Sequence, residues 1–130
     1  MGNALNKTGR PILYSICNWG DSDTLAWAPE IGNSWRTTDD IWLQWASVER
    51  IFFSNNDGRE KAGPGGWNDA DMLEVGNSGL SEDEEKSHFA LWVISKSPLI
   101  IGCDLVTVSN SSLAILKNRA LIEVSQDTLG

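Results

Sequence analysis

Short apolar runs alternate with helical segments along the whole chain, and this alternation limits the folds that the chain can adopt. The runs "ILYSIC" and "LIIG" are almost continuously apolar, which is typical of strands buried on both faces of a parallel sheet. We predict strands at 12–17, 33–37, around 69–72, 98–105 and 121–126. Strands that alternate with helices form parallel βαβ units, so we expect one α/β domain over residues 1–130.

Two of the intervening helices are predicted from the first half of the chain. A short helical turn is expected over 24–31, and Gly32 ends it. From Asp40 onward, apolar residues recur at spacings of four, three and four, which is the stripe of an amphipathic helix. The residues of this stripe are Ile41, Trp45, Val48 and Phe52.

Two further helices are predicted from the second half. Ser81 and Glu84 have the spacing of a capping box, and the acidic first turn that follows complements the helix dipole. We therefore expect a helix over 81–96. A last helix is expected over 111–119, before the final predicted strand.

The composition of the chain excludes several classes of function. The formal net charge is −8 and the ten basic residues are scattered, whereas nucleic-acid binding needs clustered Lys and Arg. No apolar run approaches the roughly 18 residues of a membrane span. Cys17 and Cys103 stand far apart in apolar runs, so we expect buried free thiols and neither a metal pair nor a disulfide.

Polar and aromatic side chains follow three successive predicted strands. Asn18 and Trp19 come after the first strand, 36–40 after the second, and 69–72 around the third. The carboxyl ends of parallel strands meet at one edge of a sheet, where the loops of (β/α)8 barrels carry function. The sequence therefore predicts a functional site at this edge.

Six of the seven tryptophans fall into two groups by their surroundings. Helical spacing with other apolar residues predicts core positions for Trp42, Trp45 and Trp92. Loop-like surroundings make site candidates of Trp19, Trp35 and Trp67. An indole ring stacks well on the apolar face of a sugar, so this second group favours a carbohydrate ligand.

Carboxylates are concentrated in two of the strand-end segments. Arg36 and Asp40 are four apart, and a cation and a helix dipole would both be available to keep Asp40 ionised, although an acidic residue there also serves as an ordinary helix start. In "GPGGWNDADML" the glycines allow a tight path, and Asp69 and Asp71 share one face of an extended piece. Such carboxylates can accept sugar hydroxyls. A calcium loop is the alternative, but the EF-hand pattern is missing.

Four segments carry a resemblance to a known family, namely "YSICNWG", "GNSWRTTDDI", "AGPGGWNDADMLEVGN" and "SPLIIGCDL". In order and spacing they closely resemble the α-galactosidases of glycoside hydrolase family 27. The likeness runs over essentially the whole chain, and its first residues look like the fungal and plant members. Ala70 stands where the family carries proline, a departure that we expect to be tolerated.

The resemblance implies a (β/α)8 TIM barrel and a retaining hydrolase that releases terminal α-linked galactose. A whole barrel takes about 250 residues, so the chain is expected to form roughly strands five to eight with their helices. The nucleophile of the family lies in a Lys-Tyr/Phe-Asp-x-Cys motif, which does not occur in this sequence. We therefore expect the isolated chain to be inert or at best weakly active.

The resemblance also implies the roles of individual residues. It makes Asp40 the general acid/base. It places the substrate contacts at Asn18, Trp19, Arg36, Asp71 and Met72. Because the chemistry needs only carboxyl groups and water, no cofactor and no metal are implied.

Partners and location follow from the same resemblance. The implied partner is a galactoside or oligosaccharide, and unpaired sheet edges predict self-association or pairing with an N-terminal half barrel. Family members are commonly secreted or vacuolar, although the start "MGNALNKTGRP" lacks the features of a signal peptide. Asn6 and Asn110 match the N-glycosylation pattern. Two alternatives remain open: a sugar-binding barrel remnant without catalysis, and specificity for α-N-acetylgalactosamine or β-L-arabinopyranose.

Overall fold

The structure is a computed structural model, and it describes residues 1–128. The strands are β1 (Ser15–Ile16), β2 (Ser34–Arg36) and β3 (Trp67–Asp69). The helices are α1 (Gly2–Asn6), α2 (Thr24–Ile31), α3 (Trp45–Asp57), α4 (Glu82–Ile94), α5 (Asn110–Leu116) and α6 (Arg119–Ser125), with a 3₁₀ turn at Arg59–Lys61. No helix in this described part of the chain has the length and apolar character that a membrane span requires.

The three strands form one parallel sheet in the order β1-β2-β3, so the predicted α/β class is confirmed. Ser15 pairs with Ser34, and Trp35 pairs with Asn68. The predicted strand at 98–105 is reduced to a single parallel bridge between Leu73 and Ile101. Helices α2 and α3 connect the strands, which gives the sheet its parallel crossovers.

The core lies between the sheet and the helices α3 to α6. Its buried side chains are Val48, Ile51, Ala70, Leu73, Val75, Phe89, Trp92, Val93, Ile115 and Leu116. A smaller cluster of Ile16, Ala28 and Trp35 lies under α2. The core thus closes over the sheet from the helical side, which leaves the carboxyl ends of the strands open.

The start of helix α4 confirms the predicted capping box. The Ser81 hydroxyl accepts the backbone N–H of Glu84 at 3.4 Å, and the Glu84 carboxylate accepts the backbone N–H of Ser81 at 2.7 Å. The backbone N–H and the hydroxyl of Ser81 both donate to the Glu84 carboxylate, and these two bonds lower the pKa of Glu84. The cap fixes where α4 begins and thereby which of its side chains face the sheet.

Two further predicted strands are wrong or shortened. Of the predicted strand 121–126, residues 121–125 belong to helix α6 and Gln126 is its C-cap. The Asn118 side chain caps the start of this helix, and Leu121 and Ile122 pack on the core as helical neighbours. The first strand is limited to Ser15–Ile16, while Leu13 remains 76% exposed. Strand β1 lies at the edge of the three-stranded sheet, so no neighbour within residues 1–128 covers that side.

Helix α3 begins at Trp45, not at Asp40 as predicted. The segment ahead of it is held in place by other contacts, because the backbone N–H of Ile41 bonds to Asp71 and that of Trp42 bonds to Ser47. Trp42 is therefore not a core residue, and 67% of its surface is exposed. Asp40 precedes the helix and does not sit in its first turn.

Two other expectations about burial are wrong. Trp35, a site candidate, is fully buried, and its indole N–H donates to the side chain of Asn68. Its ring lies 2.8 Å from where a Cβ on Gly66 would be, which explains the glycine there. Both cysteines are free thiols, but Cys17 is exposed and Cys103 only partly buried, since each lies just past a strand or bridge at the open edge.

Candidate functional site

The carboxyl ends of the three strands carry most of the predicted site residues. Arg36 is the last residue of β2 and Asp69 the last of β3, while Asn18 and Trp19 follow β1. Because the strands are parallel, these ends lie at the same edge of the sheet. The structure therefore brings the predicted residues to one side of the molecule.

Arg36 joins two aspartates through a single nitrogen. Its Nη2 lies 2.7 Å from Oδ2 of Asp71 and 3.2 Å from Oδ1 of Asp40. The side chains of Arg36 and Asp71 are 8% and 9% exposed, whereas that of Asp40 is 69% exposed. Asp71 is thus the buried partner of the guanidinium, and Asp40 is the carboxyl group that a ligand can reach.

Asp71 has an unusual backbone conformation, and both oxygens of its carboxylate accept hydrogen bonds. Its φ is +81°, a left-handed value that non-glycine residues rarely adopt. Oδ2 accepts the backbone N–H of Ile41 at 2.8 Å, and Oδ1 accepts that of Met72 at 2.8 Å. Asp71 therefore ties the segment that carries Asp40 to the end of β3.

Asp69 supports this turn from below. One of its oxygens accepts the backbone N–H of Asp71 at 2.9 Å, and the residue is 7% exposed. Burial raises the pKa of Asp69, partly opposed by that hydrogen bond and by the charge of Arg36. Ala70, where the family carries proline, donates its N–H to the Ser97 hydroxyl, a bond that proline cannot make.

The loop after β1 is held together by its own hydrogen bonds. Asn18 donates to the carbonyl of Asp21 at 2.9 Å and accepts from the Thr24 hydroxyl at 2.8 Å. Trp19 has φ +60° and is 47% exposed, so its indole faces solvent. A Cβ on Gly20 would lie 2.7 Å from the carbonyl oxygen of Thr37, which brings the loop directly against the end of β2.

Two further predicted residues differ in their position. Met72 follows Asp71 at the open edge and is 45% exposed, so it can contact a ligand there. Trp67 is the first residue of β3, at the opposite end of the strand from Asp69, and the Lys96 ammonium lies 5.8 Å from the centre of its ring. Trp67 is therefore not part of the group around Asp40, and that expectation is wrong.

Sequence reasoning missed the contacts made by backbone groups and by one indole. The N–H of Ile41 and the carbonyl of Thr38 bond to Asp71 and Arg36, and no side-chain pattern announces them. Trp92 was predicted as core and is fully buried, but its indole N–H also donates to the carbonyl of Asp71 at 2.7 Å. A buried indole needs such a partner, and that requirement was the available signal.

The same geometry bears on the calcium alternative. No group of three or more His, Cys, Asp or Glu side chains within residues 1–128 is arranged to hold a metal ion. The oxygens of Asp69 and Asp71 accept backbone N–H groups, and Asp71 also pairs with the guanidinium of Arg36. A cation placed there would face a positive charge, so the turn does not fit a calcium site.

Comparisons with known proteins identify the same family along the whole chain. The model of the family described as alpha galactosidase A matches residues 1–127. Alpha-galactosidase 3 of Arabidopsis thaliana is 53% identical over 130 residues, which is all of this chain and 30% of that relative. The chain thus spans about a third of the length of the curated relatives that it matches.

Solved structures agree with this result. An α-galactosidase from Saccharomyces cerevisiae superposes with a TM-score of 0.97 at 39% identity, covering all of this chain and 34% of that one; the yeast enzyme has also been solved with raffinose. A family 27 β-L-arabinopyranosidase from Geobacillus stearothermophilus superposes with a TM-score of 0.86 at 30% identity, covering 95% of this chain and 32% of that one. In both comparisons the chain matches about a third of the solved protein.

Proposed function

The chain belongs to the α-galactosidase A family, within glycoside hydrolase family 27, and on that premise we propose that it forms the acid/base portion of an α-galactosidase active site. The observation that carries the proposal is the arrangement around Arg36. One guanidinium nitrogen holds a buried Asp71 and an exposed Asp40 at the open edge of a parallel sheet. Asp40 is therefore accessible to a substrate, while its ion pair with Arg36 fixes the position of its carboxylate.

In the proposed mechanism Asp40 acts first as an acid and then as a base. It protonates the glycosidic oxygen as the bond to galactose breaks, and it later removes a proton from the water that releases the sugar. Arg36, 3.2 Å from Asp40, stabilises the carboxylate that the first proton transfer leaves, and the second transfer returns Asp40 to its protonated form. Because this role needs a reachable carboxyl group, the 69% exposure of the Asp40 side chain is consistent with it.

The remaining predicted residues form the proposed sugar pocket. Asn18 and Trp19 lie in the loop after β1, and Met72 lies beside Asp71 on the opposite side. The exposed indole of Trp19 offers a face for the sugar ring, and Met72 offers an apolar contact. Among residues 1–128, Oδ1 of Asp71 accepts only the N–H of Met72, so one of its lone pairs is available to a galactose hydroxyl.

A retaining mechanism also needs a nucleophilic carboxyl group about 5–5.5 Å from the acid/base. The nucleophile motif of the family does not occur in the 130 residues. We therefore assign residues 1–130 to strands five to eight of the barrel, and we expect hydrolysis only together with a segment that supplies the nucleophile. That segment is an N-terminal half barrel, whose strands would pair with the open edge of β1.

Two alternatives have specific support. The absent nucleophile motif favours a sugar-binding protein in which Asp40 is dispensable. The likeness to the β-L-arabinopyranosidase favours a different pyranose, because galactose and arabinopyranose differ only at the C5 substituent. The secreted or vacuolar location, the self-association and the glycosylation of Asn6 and Asn110 stay predictions.

The test is hydrolysis of chromogenic α-galactosides and β-L-arabinopyranosides by the chain, alone and mixed with a separately expressed N-terminal half of a related barrel. Asp40→Asn removes the proposed acid/base. Asp39→Asn is the matched control, because Asp39 is the adjacent exposed carboxylate and pairs with Arg50 at 2.9 Å. Activity that needs the mixture and is lost only in Asp40→Asn supports the proposal.

Other outcomes separate the alternatives. Sugar binding without turnover, unchanged in Asp40→Asn, would favour the binding protein. Turnover of the arabinopyranoside alone would keep the mechanism and change the substrate. Full activity of the isolated chain would contradict the need for a second segment.

A further inference from the structure

Three side chains on one face of helix α4 bond to the backbone of the segment after β3. Trp92 donates its indole N–H to the carbonyl of Asp71 at 2.7 Å. The N–H of Glu74 donates to Nε2 of His88 at 2.9 Å, and that of Gly76 donates to Oε1 of Glu85 at 2.8 Å. We call Glu85, His88 and Trp92 the α4 anchor row; their spacings of three and four place them on one helix face.

The α4 anchor row places polar groups on a buried helix face, where apolar side chains are usual. His88 and Trp92 are fully buried, and Glu85 is 5% exposed. Buried polar groups are costly unless they find partners, and each member here bonds to a backbone group of the same segment, 71–76. Of the His88 nitrogens only Nε2 has a partner among the described residues, and Nδ1 is buried without one. The row therefore holds the path of this segment as well as packing against it.

The members of the row also support one another. The His88 and Trp92 rings meet edge to face with centroids 4.1 Å apart. The second oxygen of Glu85 accepts the Ser112 hydroxyl at 2.7 Å, which connects the row to helix α5. A change at one member therefore displaces a rigid unit, not a single flexible side chain.

The held segment begins at the strained residue of the site. A non-glycine residue with φ +81° persists only when its surroundings determine it, and Asp71 is fixed at both peptide groups. The Asp69 carboxylate accepts its N–H, and the Trp92 indole donates to its carbonyl. In this conformation the Asp71 side chain reaches Arg36 and the N–H of Ile41, next to Asp40.

We propose that Trp92 and His88 are positioning residues for the acid/base site: Trp92 bonds to Asp71 directly, and His88 acts through its ring contact with Trp92 and its bond to Glu74. Together they hold Asp71 in the left-handed conformation from which its carboxylate orients Arg36 and the segment that carries Asp40. The term acid/base site rests on the proposed function. The mechanical coupling does not, since it concerns hydrogen bonds that exist without any sugar.

The coupling is tested on the full chain by amide hydrogen exchange, followed by NMR at the N–H groups of Ile41 and Met72, the two that donate to Asp71. Trp92→Phe keeps an aromatic ring and removes the indole donor. Phe89→Leu is the matched control, because Phe89 is equally buried on α4 and makes no hydrogen bond to the segment. We expect both amides to exchange about tenfold faster in Trp92→Phe than in Phe89→Leu.

A second pair of variants tests His88 independently. His88→Gln retains an acceptor near the position of Nε2, whereas His88→Leu removes it. We expect fast exchange at Met72 and Glu74 in His88→Leu and rescue in His88→Gln. Equal exchange in Trp92→Phe and Phe89→Leu, or in the two His88 variants, would overturn the proposal and leave a purely packing role for the row.

The proposed function and the proposed coupling can be tested separately. If the chain mixed with an N-terminal half barrel hydrolyses no glycoside but the exchange differences appear, the acid/base assignment is wrong and the coupling stands. If hydrolysis occurs but Trp92→Phe changes neither kcat nor the two exchange rates, the coupling is wrong and the function stands. A lower kcat at unchanged KM in Trp92→Phe, beyond that of Phe89→Leu, supports both.

Discussion

Arg36 and Asp71 form an ion pair with 2.7 Å between Nη2 and Oδ2, and both side chains are less than a tenth exposed. Their burial makes the pair a part of the fold as well as of the site. Loss of one partner leaves the other charge buried without compensation, which costs far more than the pair itself contributes. Replacing Arg36 or Asp71 should therefore destabilise the chain more than replacing a residue of an exposed ion pair.

Arg36→Met should lower the free energy of unfolding by about 3 kcal/mol, because the Asp71 carboxylate then stays buried beside an apolar side chain. Arg50→Met is the control, since its pair with Asp39 is about half exposed on both sides and should cost less than about 1 kcal/mol. Urea denaturation of both variants measures the difference. Equal costs would show that the buried pair is not structurally important.

Asp40→Asn and Asp71→Asn should separate activity from stability. Asp40 is largely exposed, so its replacement should change the free energy of unfolding by no more than about 0.5 kcal/mol. Asp71→Asn removes the charge that Arg36 faces and should cost about 2 kcal/mol or more. Urea denaturation checks both values. A large loss in Asp40→Asn would mean that Asp40 is also a structural residue.

The stability of the chain should fall as the pH drops from about 6.5 to about 4 through the titration of His88. Burial lowers the pKa of this residue to about 4 in the folded chain, while the unfolded chain binds the proton near 6.5. The unfolded state therefore gains protons first, and the full effect is at most about 3 kcal/mol. His88 is the only histidine, so His88→Gln should flatten the profile above about pH 5, where carboxylates contribute little. An unchanged profile would contradict the assignment.

Gly20→Ala should be more costly than Gly9→Ala. Both glycines have positive φ, +82° and +69°, so alanine is strained by about 1 kcal/mol at either position. At Gly20 the new Cβ would also meet the Thr37 carbonyl oxygen, at 2.7 Å, while at Gly9 no other described residue beyond the chain neighbours lies within 4 Å of it. Thermal unfolding of the two variants measures the extra cost. Identical melting temperatures would mean that the loop after β1 does not pack on β2.

The sequence predicts the parallel sheet and the edge where the site lies, because buried strands and their polar ends leave patterns of a few residues. It also predicts the start of α4, where Ser81 and Glu84 suffice to define the cap. It fails at 121–126, since a short apolar run fits a strand or a helix equally until the Asn118 cap and the core are known. Length alone does not separate the two.

The predicted start of α3 is wrong for a different reason. The apolar spacing from Ile41 fits a helix, but the N–H of Ile41 is held by the Asp71 carboxylate, thirty positions along the chain. Such a long-range backbone bond overrides local periodicity and has no signature in the sequence. The prediction that Trp35 is a site residue is also wrong. It was based on polar sequence neighbours such as Arg36, whereas the side chain of Trp35 itself is buried in the core.

The loop after β1 closes its side-chain bonds upon itself through Asn18, whereas Arg36, Asp40 and Asp71 are connected to one another. The loop that would choose a sugar therefore packs against the end of β2, but within residues 1–128 the side chain of Asn18 bonds to Asp21 and Thr24 and not to Arg36, Asp40 or Asp71. If the proposed function holds, substitutions of Asn18 or Trp19 are expected to change which pyranose is accepted while the ion pairs of Arg36 with Asp40 and Asp71 persist. In such an arrangement, related proteins could evolve different sugar preferences through changes in one loop while the groups that transfer protons stay the same.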